Sequence, residues 1–134
     1  MSDYYNKKHD KGKEPYHLIP EVCIRELYRE FYDEGSKYIY ANIYNQRRMD
    51  EDLDFYRSIE FVKDVLEYGR DLYGAETWKD LPDAQQRYMA ASIRHKEECS
   101  NPLPIDAESR LPHIAHELTN YIFLLYFEIK EDRS

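Results

Sequence analysis

The sequence predicts an all-α protein, an antiparallel bundle of about four helices with an extended N-terminal arm. Apolar residues recur at helical spacing in four long segments, Pro, Gly, Asn and Asp separate those segments, and no segment alternates convincingly as a strand does. Short connections make neighbouring helices antiparallel. A chain of 134 residues suffices for one core, so we expect an arm at residues 1–17 and a single helical domain at residues 18–134.

The first predicted helix occupies much of the N-terminal third of the chain. It begins at Pro20, which suits an initial helical turn, and runs to about Tyr44 with a weak point at Gly35. A polar stretch at residues 45–52 predicts the turn that follows. Asp50 in this turn is expected to cap the second helix.

The later helices are bounded by capping and breaking residues. The second helix is predicted to end near Gly74, before a loop that holds Trp78. Asp83 is expected to cap a third helix that reaches about Glu98. A Pro-rich turn follows. Asp106 and Ser109 are expected to bracket the start of the fourth helix, and Pro112 is expected in its first turn.

Charge and cysteine content exclude several classes of protein. The formal net charge of −8 argues against direct nucleic-acid binding, which usually needs a basic face. The longest apolar run, residues 121–127, is too short to span a membrane. Cys23 and Cys99 are too far apart in sequence to indicate a zinc ribbon or a disulfide scaffold, so a reducing cytoplasm fits best.

Aromatic content predicts self-association. Fourteen tyrosines and an amphipathic first hairpin leave apolar area that a monomer would cover poorly. We therefore expect a homo-oligomer.

Three of the five histidines fall in one predicted hairpin. Steps of three and four residues bring side chains to the same side of a helix. One face of the fourth helix therefore carries His113, His116, Glu117 and Asn120.

The third helix brings further polar groups towards that face. His95 and Glu98 share a side of this helix, so His95 is expected to meet the other two histidines across the hairpin. Three imidazoles with Glu98 or Asp106 would satisfy a divalent cation. The same imidazoles with Arg94 would equally well bind phosphate oxygens. The alternative without a ligand is that these histidines are core or capping residues.

A second candidate metal site lies in the first predicted hairpin. Glu30 and Glu34 repeat at helical spacing on the first helix, as Glu60 and Asp64 do on the second. If these helices run antiparallel, their carboxylates come level and would bind Mg²⁺ between them. The alternative is a solvated acidic surface.

Ordered motifs give the chain a resemblance to a known family. The N-terminal motifs are Asp10-Lys11-Gly12-Lys13 and Leu18-Ile19-Pro20-Glu21. The C-terminal motifs are Tyr68-Gly69, Tyr73-Gly74, Trp78, Ala90-Ala91, Arg94-His95, Asp106, Glu108-Ser109, Leu111-Pro112-His113, Ala115-His116, Asn120 and Phe123-Leu124-Leu125. Together they resemble the phage dATP/dGTP diphosphohydrolase family, a group of small helical proteins.

The resemblance implies metal-dependent hydrolysis of a purine nucleotide, dATP or dGTP, to the monophosphate and pyrophosphate, with Mg²⁺ or Mn²⁺ as cofactor. It implies catalytic roles for His95, Glu98 and Asp106, and metal binding by His95, His113 and His116. The residues implied to bind the nucleotide are Lys11, Lys13, Tyr73, Trp78, Arg94 and Asn120. A phage-encoded protein of this kind would act in the host cytoplasm.

Departures from the family pattern keep two other functions open. Pro15 and His17 stand where the family usually has Arg and Asp, and residues 102–104 replace an acidic turn. These changes favour a non-catalytic phage protein that binds and sequesters a nucleotide or a nucleotide-derived signal. A third hypothesis is an acidic protein that mimics nucleic acid and blocks an enzyme acting on it.

Overall fold

The computed structural model describes residues 16–32, 35–101 and 103–134, and the bundle within these ranges is all-helical. Its helices are α1 (Glu21–Tyr32), α2 (Ile39–Asp50), α3 (Phe55–Tyr73), α4 (Ala84–Glu98) and α5 (His113–Arg133), with a 3-10 helix at Thr77–Lys79. Within the described ranges the β-type pairing is limited to one isolated bridge, between Ile105 and Pro112. The predicted all-α fold is confirmed.

Some predicted features lie outside the described residues. They are Lys11, Lys13 and Glu34, together with all of the predicted arm except Tyr16 and His17. Within the described residues, no helix is both long and apolar enough to cross a membrane.

The first predicted helix is two helices. α1 ends at Tyr32, Gly35 adopts a left-handed φ of +76°, and α2 begins at Ile39. This backbone conformation favours glycine, which has no Cβ to clash. A carboxylate oxygen of Glu30 accepts a hydrogen bond from the backbone N–H of Ser36 at 2.5 Å, which ties the connection to the end of α1. The apolar stripe continues in register across the break, so periodicity alone predicts one long helix.

The next turn lies later in the chain than predicted. Residues 45–50 belong to α2, so Asp50 is the last residue of that helix and not the cap of the next. Asp54 caps α3 instead, because its carboxylate accepts a hydrogen bond from the backbone N–H of Arg57 at 2.7 Å. α3 ends at Tyr73 with Gly74 as its C-cap, which agrees with the predicted end near Gly74.

The starts of α4 and α5 are close to the predicted positions but differ in detail. Asp83 precedes α4 with a left-handed φ of +54°, and its side chain makes no capping hydrogen bond. Pro112 precedes α5 and does not lie inside its first turn. Asp106 and Ser109 therefore belong to a separate turn before the helix, whose backbone is closed by the hydrogen bond from Arg110 N to the carbonyl of Asp106 at 2.8 Å.

α5 is the central helix of the bundle. It packs against α1, α2, α3 and α4, and eleven of its 21 residues are buried. Leu118, Ile122 and Leu125 are fully buried there, against core residues of the surrounding helices. A helix that is buried nearly all round must satisfy its polar side chains inside the protein. α5 does this with His113, Glu117 and Asn120.

Glu117 joins three helical segments through one buried carboxylate. Its side chain is 0% exposed and lies 2.7 Å from Nε of Arg47 on α2. The Tyr121 hydroxyl donates to the same carboxylate at 2.5 Å, and the Cys99 thiol after α4 donates to it at 3.7 Å. Arg47 is itself 11% exposed and also pairs with Glu51 at 3.0 Å. The contact therefore fixes α2 and the end of α4 against α5.

Exposed aromatic side chains surround the start of α3. Tyr28, Phe31 and Tyr32 on α1 contact the Phe55 ring, and Tyr56 lies beside it. All of these except Phe55 are exposed. Such a patch suits a protein contact, and the homo-oligomer stays a prediction.

Removal of the Arg47 guanidinium is expected to destabilise the fold strongly. Arg47→Met leaves the Glu117 charge buried without its main partner, which costs about 3–5 kcal/mol of unfolding free energy. The matched control is Arg25→Met, because the Arg25–Glu21 pair is exposed and should contribute less than about 1 kcal/mol. Urea unfolding measures both variants. Equal losses would show that the buried pair does not hold the bundle together.

Candidate functional site

Three imidazoles meet where the C-terminal end of α4 faces the N-terminal end of α5. The Nδ1 atoms of His95 and His113 lie 2.9 Å apart. The rings of His95 and His116 stack at 4.7 Å with their planes 14° apart. The two helices run antiparallel, since Gln85 at the start of α4 donates to Glu131 near the end of α5 at 3.3 Å. The structure thus brings together the three histidines that the helical spacing predicts as neighbours.

Asp106 adds a carboxylate to this cluster from the turn before α5. The backbone N–H of Asp106 donates to the carbonyl of Leu111 at 2.8 Å, which folds the turn back on itself. One donor atom each from His95, Asp106 and His113 all lie within 4.8 Å of one another. We call these three residues the donor cluster.

Ser109 orients two of the polar groups, and the sequence reasoning did not identify it as a site residue. Its backbone N–H and its hydroxyl both donate to one oxygen of Asp106, at 2.8 and 2.9 Å. Its oxygen also lies 2.7 Å from Nε2 of His116. An ionised carboxylate can only accept, so the hydroxyl proton points to Asp106 and Nε2 of His116 carries the other proton. Neutral His116 therefore keeps its lone pair on Nδ1.

A sequence signal for Ser109 exists. Asp and Ser three residues apart favour a turn in which the two side chains bond to the local backbone and to each other. The same pair is also typical of a helix N-terminus, which is how it was interpreted from the sequence.

Burial keeps two of the imidazoles uncharged near neutral pH. Burial, followed by the neighbouring His116 and His113, lowers the pKa of His95 to about 4. Burial also lowers the pKa of His116, although Asp106 opposes the shift. Burial alone would raise the pKa of Asp106, but the hydrogen bonds from Ser109 and the proximity of His116 outweigh it and hold that pKa below its usual value. Neutral imidazoles therefore face an ionised carboxylate.

The donor cluster fits a divalent cation. Neutral imidazole and ionised carboxylate are the protonation states that bind metals. Two nitrogens and one oxygen from the protein leave coordination positions open for substrate or water, as in catalytic metal sites. His116 was predicted as a third histidine ligand, but among the described residues it is not part of the donor cluster, and its Nε2 is bonded to Ser109.

Glu98 and Asp106 were both predicted as acids of this site, and the structure separates them. Glu98 is exposed and accepts a hydrogen bond from the side chain of Asn101. It does not join the donor cluster of the described residues. Asp106 is therefore the carboxylate that the fold places beside the histidines.

Arg94 and Asn120 lie next to the cluster on their helices. Arg94 precedes His95 on α4 and is exposed, so its guanidinium is accessible to a ligand. Asn120 is buried, and its side-chain amide donates to the carbonyl of His116 one turn earlier at 2.8 Å. The side-chain amide of Asn120, which was predicted to bind the nucleotide, therefore already makes a hydrogen bond within α5.

An apolar cleft of about 590 Å³ adjoins the cluster and has His116 in its wall. α3, the 3-10 helix, α4 and α5 all contribute to its lining. Tyr73 is 68% exposed at this cleft and is accessible to a ligand. Trp78 is only 8% exposed, and its ring stacks on Phe123 at 4.4 Å. It is therefore a core residue that borders the cleft and not a free stacking surface.

The alternative acidic site does not assemble within the described residues. Glu30 accepts from the backbone of Ser36, and Lys63 pairs with Glu60 at 3.1 Å and with Asp64 at 2.6 Å. The unpredicted helix α2 packs against α1, while α3 packs against α5. Because these acids are tied to local partners and do not converge, the histidine cluster is the better candidate.

A comparison with protein-family models settles the family of the chain. The model described as dATP/dGTP diphosphohydrolase, N-terminal, matches residues 40–134. The chain belongs to this family. The matched range of the diphosphohydrolase N-terminal family contains the donor cluster, Ser109 and the whole lining of the cleft. Searches of curated proteins and of solved structures found no match.

Acid is expected to destabilise this diphosphohydrolase-family fold through His95. The pKa of His95 is about 4 in the folded chain, against 6.5 for a free side chain. Between these values the unfolded chain binds a proton that the folded chain excludes, so the free energy of unfolding falls as the pH drops through this window. Urea unfolding across the window, in metal-free buffer, should show a steeper loss for the natural chain than for His95→Gln. If the natural chain and His95→Gln lose stability in parallel as the pH falls, the pKa of His95 is not lowered in the folded chain.

Proposed function

We propose that this chain hydrolyses a purine deoxynucleoside triphosphate, dATP or dGTP, to the monophosphate and pyrophosphate, with a divalent metal at the donor cluster. The observation that carries the proposal is the convergence of His95, Asp106 and His113 within 4.8 Å, beside an apolar cleft that includes His116. A nucleotide offers one charged part and one flat, largely apolar part, and these two neighbouring features match them. Membership of the family supports the type of reaction.

Of the two cations predicted from the sequence, Mn²⁺ suits this cluster better than Mg²⁺. Two of the three protein donors are imidazole nitrogens, whereas Mg²⁺ prefers oxygen ligands in a nearly ideal octahedron. When bound, the cation would neutralise phosphate charge and polarise the attacked phosphoryl group. His95, Asp106 and His113 would hold it.

His116 is the residue that we assign to accept the proton of the attacking water. Ser109 bonds to its Nε2, so the free lone pair is on Nδ1. As the water oxygen bonds to the α phosphorus, its proton moves to Nδ1, and the bond from this phosphorus to the oxygen of the leaving pyrophosphate breaks. The carboxylate of Asp106, 3.9 Å from Nε2, stabilises the positive imidazolium. Arg94, which precedes His95 and is exposed, would bind phosphate oxygens.

Substitution of His116 is expected to separate catalysis from metal binding. His116→Gln should lower kcat by about 10²–10⁴-fold, because the proton acceptor is lost, while Mn²⁺ affinity is retained. His113→Ala should lose both properties, and Glu98→Gln neither. The assay incubates each dNTP and NTP with Mn²⁺ or Mg²⁺ and follows monophosphate and pyrophosphate.

Two results of this assay would overturn the roles assigned here. If Glu98→Gln is inactive and His116→Gln is active, Glu98 and not His116 accepts the proton of the attacking water. If no nucleotide is hydrolysed but one raises the melting temperature, the chain is a binding protein without turnover.

Metal binding is expected to depend on the Ser109 hydroxyl. Ser109→Ala removes the donor that orients Asp106, and loss of such a supporting contact typically weakens metal binding about 10–100-fold. Ser100→Ala is the matched control, because Ser100 is exposed and its hydroxyl donates to the carbonyl of Glu97. Isothermal titration with Mn²⁺ measures both variants. If Glu60→Gln weakens Mn²⁺ binding and Ser109→Ala does not, the metal binds at the acidic surface of α3 instead.

A further inference from the structure

The apolar cleft beside the donor cluster takes no part in the proton transfer and bond cleavage described above. We infer that it holds the purine base of the nucleotide, and that Gly69 keeps the space for the base open. This inference rests on the proposed function, because it names the place where the non-reacting part of the substrate binds.

Gly69 is a glycine that the local structure does not require. It lies inside α3, where glycine is unfavourable relative to alanine. Its backbone is not in the left-handed region, and a Cβ added to it would meet nothing within 4 Å. Gly74, at the end of the same helix, is different because its φ of +101° explains its presence. Neither conformation nor close packing therefore accounts for Gly69.

The open space beside Gly69 is the cleft itself. Gly69 lines it, so any larger side chain at this position would project into the volume that a ligand would use. The volume of about 590 Å³ is in the usual range for sites that bind organic ligands. An unnecessary glycine at the wall of such a cleft indicates that empty space is preserved for a ligand.

The lining of the cleft matches a flat aromatic ligand. Tyr68, Tyr73 and Tyr88 contribute aromatic rings, and Leu66, Leu81 and Phe123 contribute apolar area. Bases stack on aromatic side chains through their faces, and the two fused rings of a purine offer more stacking area than one pyrimidine ring. The ring of Tyr73 is exposed at the cleft, so its face is accessible to a base.

The cleft and the donor cluster are close enough to serve one nucleotide. His116 lines the cleft, and its ring stacks on His95 of the cluster at 4.7 Å. The hydroxyl of Tyr68 donates to Glu108 at 3.4 Å, and Glu108 belongs to the turn that presents Asp106. α3 is thereby tied to the turn beside the metal donors. A base in the cleft would leave its phosphates directed to the cluster across His116.

A pair of substitutions at Gly69 tests the assignment. Gly69→Leu fills the cleft with a side chain that favours helix, and Gly69→Ala adds one methyl group and leaves most of the space. The probes are α,β-methylene-dATP, which resists hydrolysis between the α and β phosphates, and inorganic tripolyphosphate, which has no base. Isothermal titration with Mn²⁺ present measures binding of each probe to the natural chain and to both variants.

We expect Gly69→Leu to weaken binding of α,β-methylene-dATP by at least about tenfold and to leave tripolyphosphate binding unchanged. Gly69→Ala should weaken binding of α,β-methylene-dATP less than Gly69→Leu does, should leave tripolyphosphate binding unchanged, and should melt at a higher temperature, because alanine replaces a helical glycine. The single tryptophan, Trp78, borders the cleft, so the analogue should change its fluorescence in the natural chain and not in Gly69→Leu.

The possible failures of the two proposals are distinguishable. If Gly69→Leu binds the analogue normally, or loses tripolyphosphate to the same extent, the base does not occupy the cleft, even if dATP is hydrolysed. If the analogue binds, loses affinity in Gly69→Leu, and dATP is not hydrolysed, the cleft assignment stands and the hydrolase proposal fails. If the natural chain does not bind the analogue at all, the cleft assignment fails as well.

Discussion

The buried carboxylate of Glu117 is the constraint on which the arrangement of the helices depends. A charge that is fully removed from water requires a paired charge and hydrogen bonds, and here Arg47, Tyr121 and Cys99 supply them. Burial, followed by the neighbouring Glu117, raises the pKa of Cys99 to about 11, so the thiol stays protonated and able to donate. Since Arg47 is on α2 and Cys99 follows α4, one carboxylate on α5 holds α2 and the end of α4 against α5.

The same constraint positions the site. His113 lies one turn before Glu117 on α5, and His95 lies one turn before Cys99 at the end of α4. The contact between the Cys99 thiol and Glu117 therefore sets how far the two helices can slide past each other, and with it the 2.9 Å separation of the two imidazole nitrogens. The geometry of the donor cluster is fixed by contacts outside it, so the donors converge before any ligand binds.

The sequence predicts the helical fold well because its signals are local. Gly74 and Asp83 mark the boundaries of α3 and α4 correctly, and the spacing of His113 and His116 correctly predicts a shared face. The break at Gly35 is missed because the apolar stripes of α1 and α2 happen to continue in register. Asp50 and Asp54 are equally good caps in composition, and only tertiary packing of α2 selects Asp54.

The site is less predictable, because it depends on which of several similar side chains are buried. The chain has 27 acidic residues, and no local pattern distinguishes Glu117, which is fully buried, from Glu98, which is exposed. Glu98 shares a helix face with His95, so periodicity makes it as good a candidate as Asp106. The choice falls to Asp106 because a turn with Ser109 at its end directs that carboxylate to the histidines.

Two features of the chain reduce stability, and both lie beside the cleft: Gly69 lines it, and His95 stacks on His116, which also lines it. Gly69 weakens α3 where alanine would fit. Burial lowers the pKa of His95 and keeps its ring uncharged, which makes the fold more sensitive to acid. Local rules of stability are most often broken at functional sites, where another requirement decides the residue. These two departures arise from different physics, helix propensity and desolvation of charge, and occur on different helices. His116 lines the cleft with Gly69 and stacks on His95 of the donor cluster, which is the physical basis for treating cleft and cluster as parts of one proposed site.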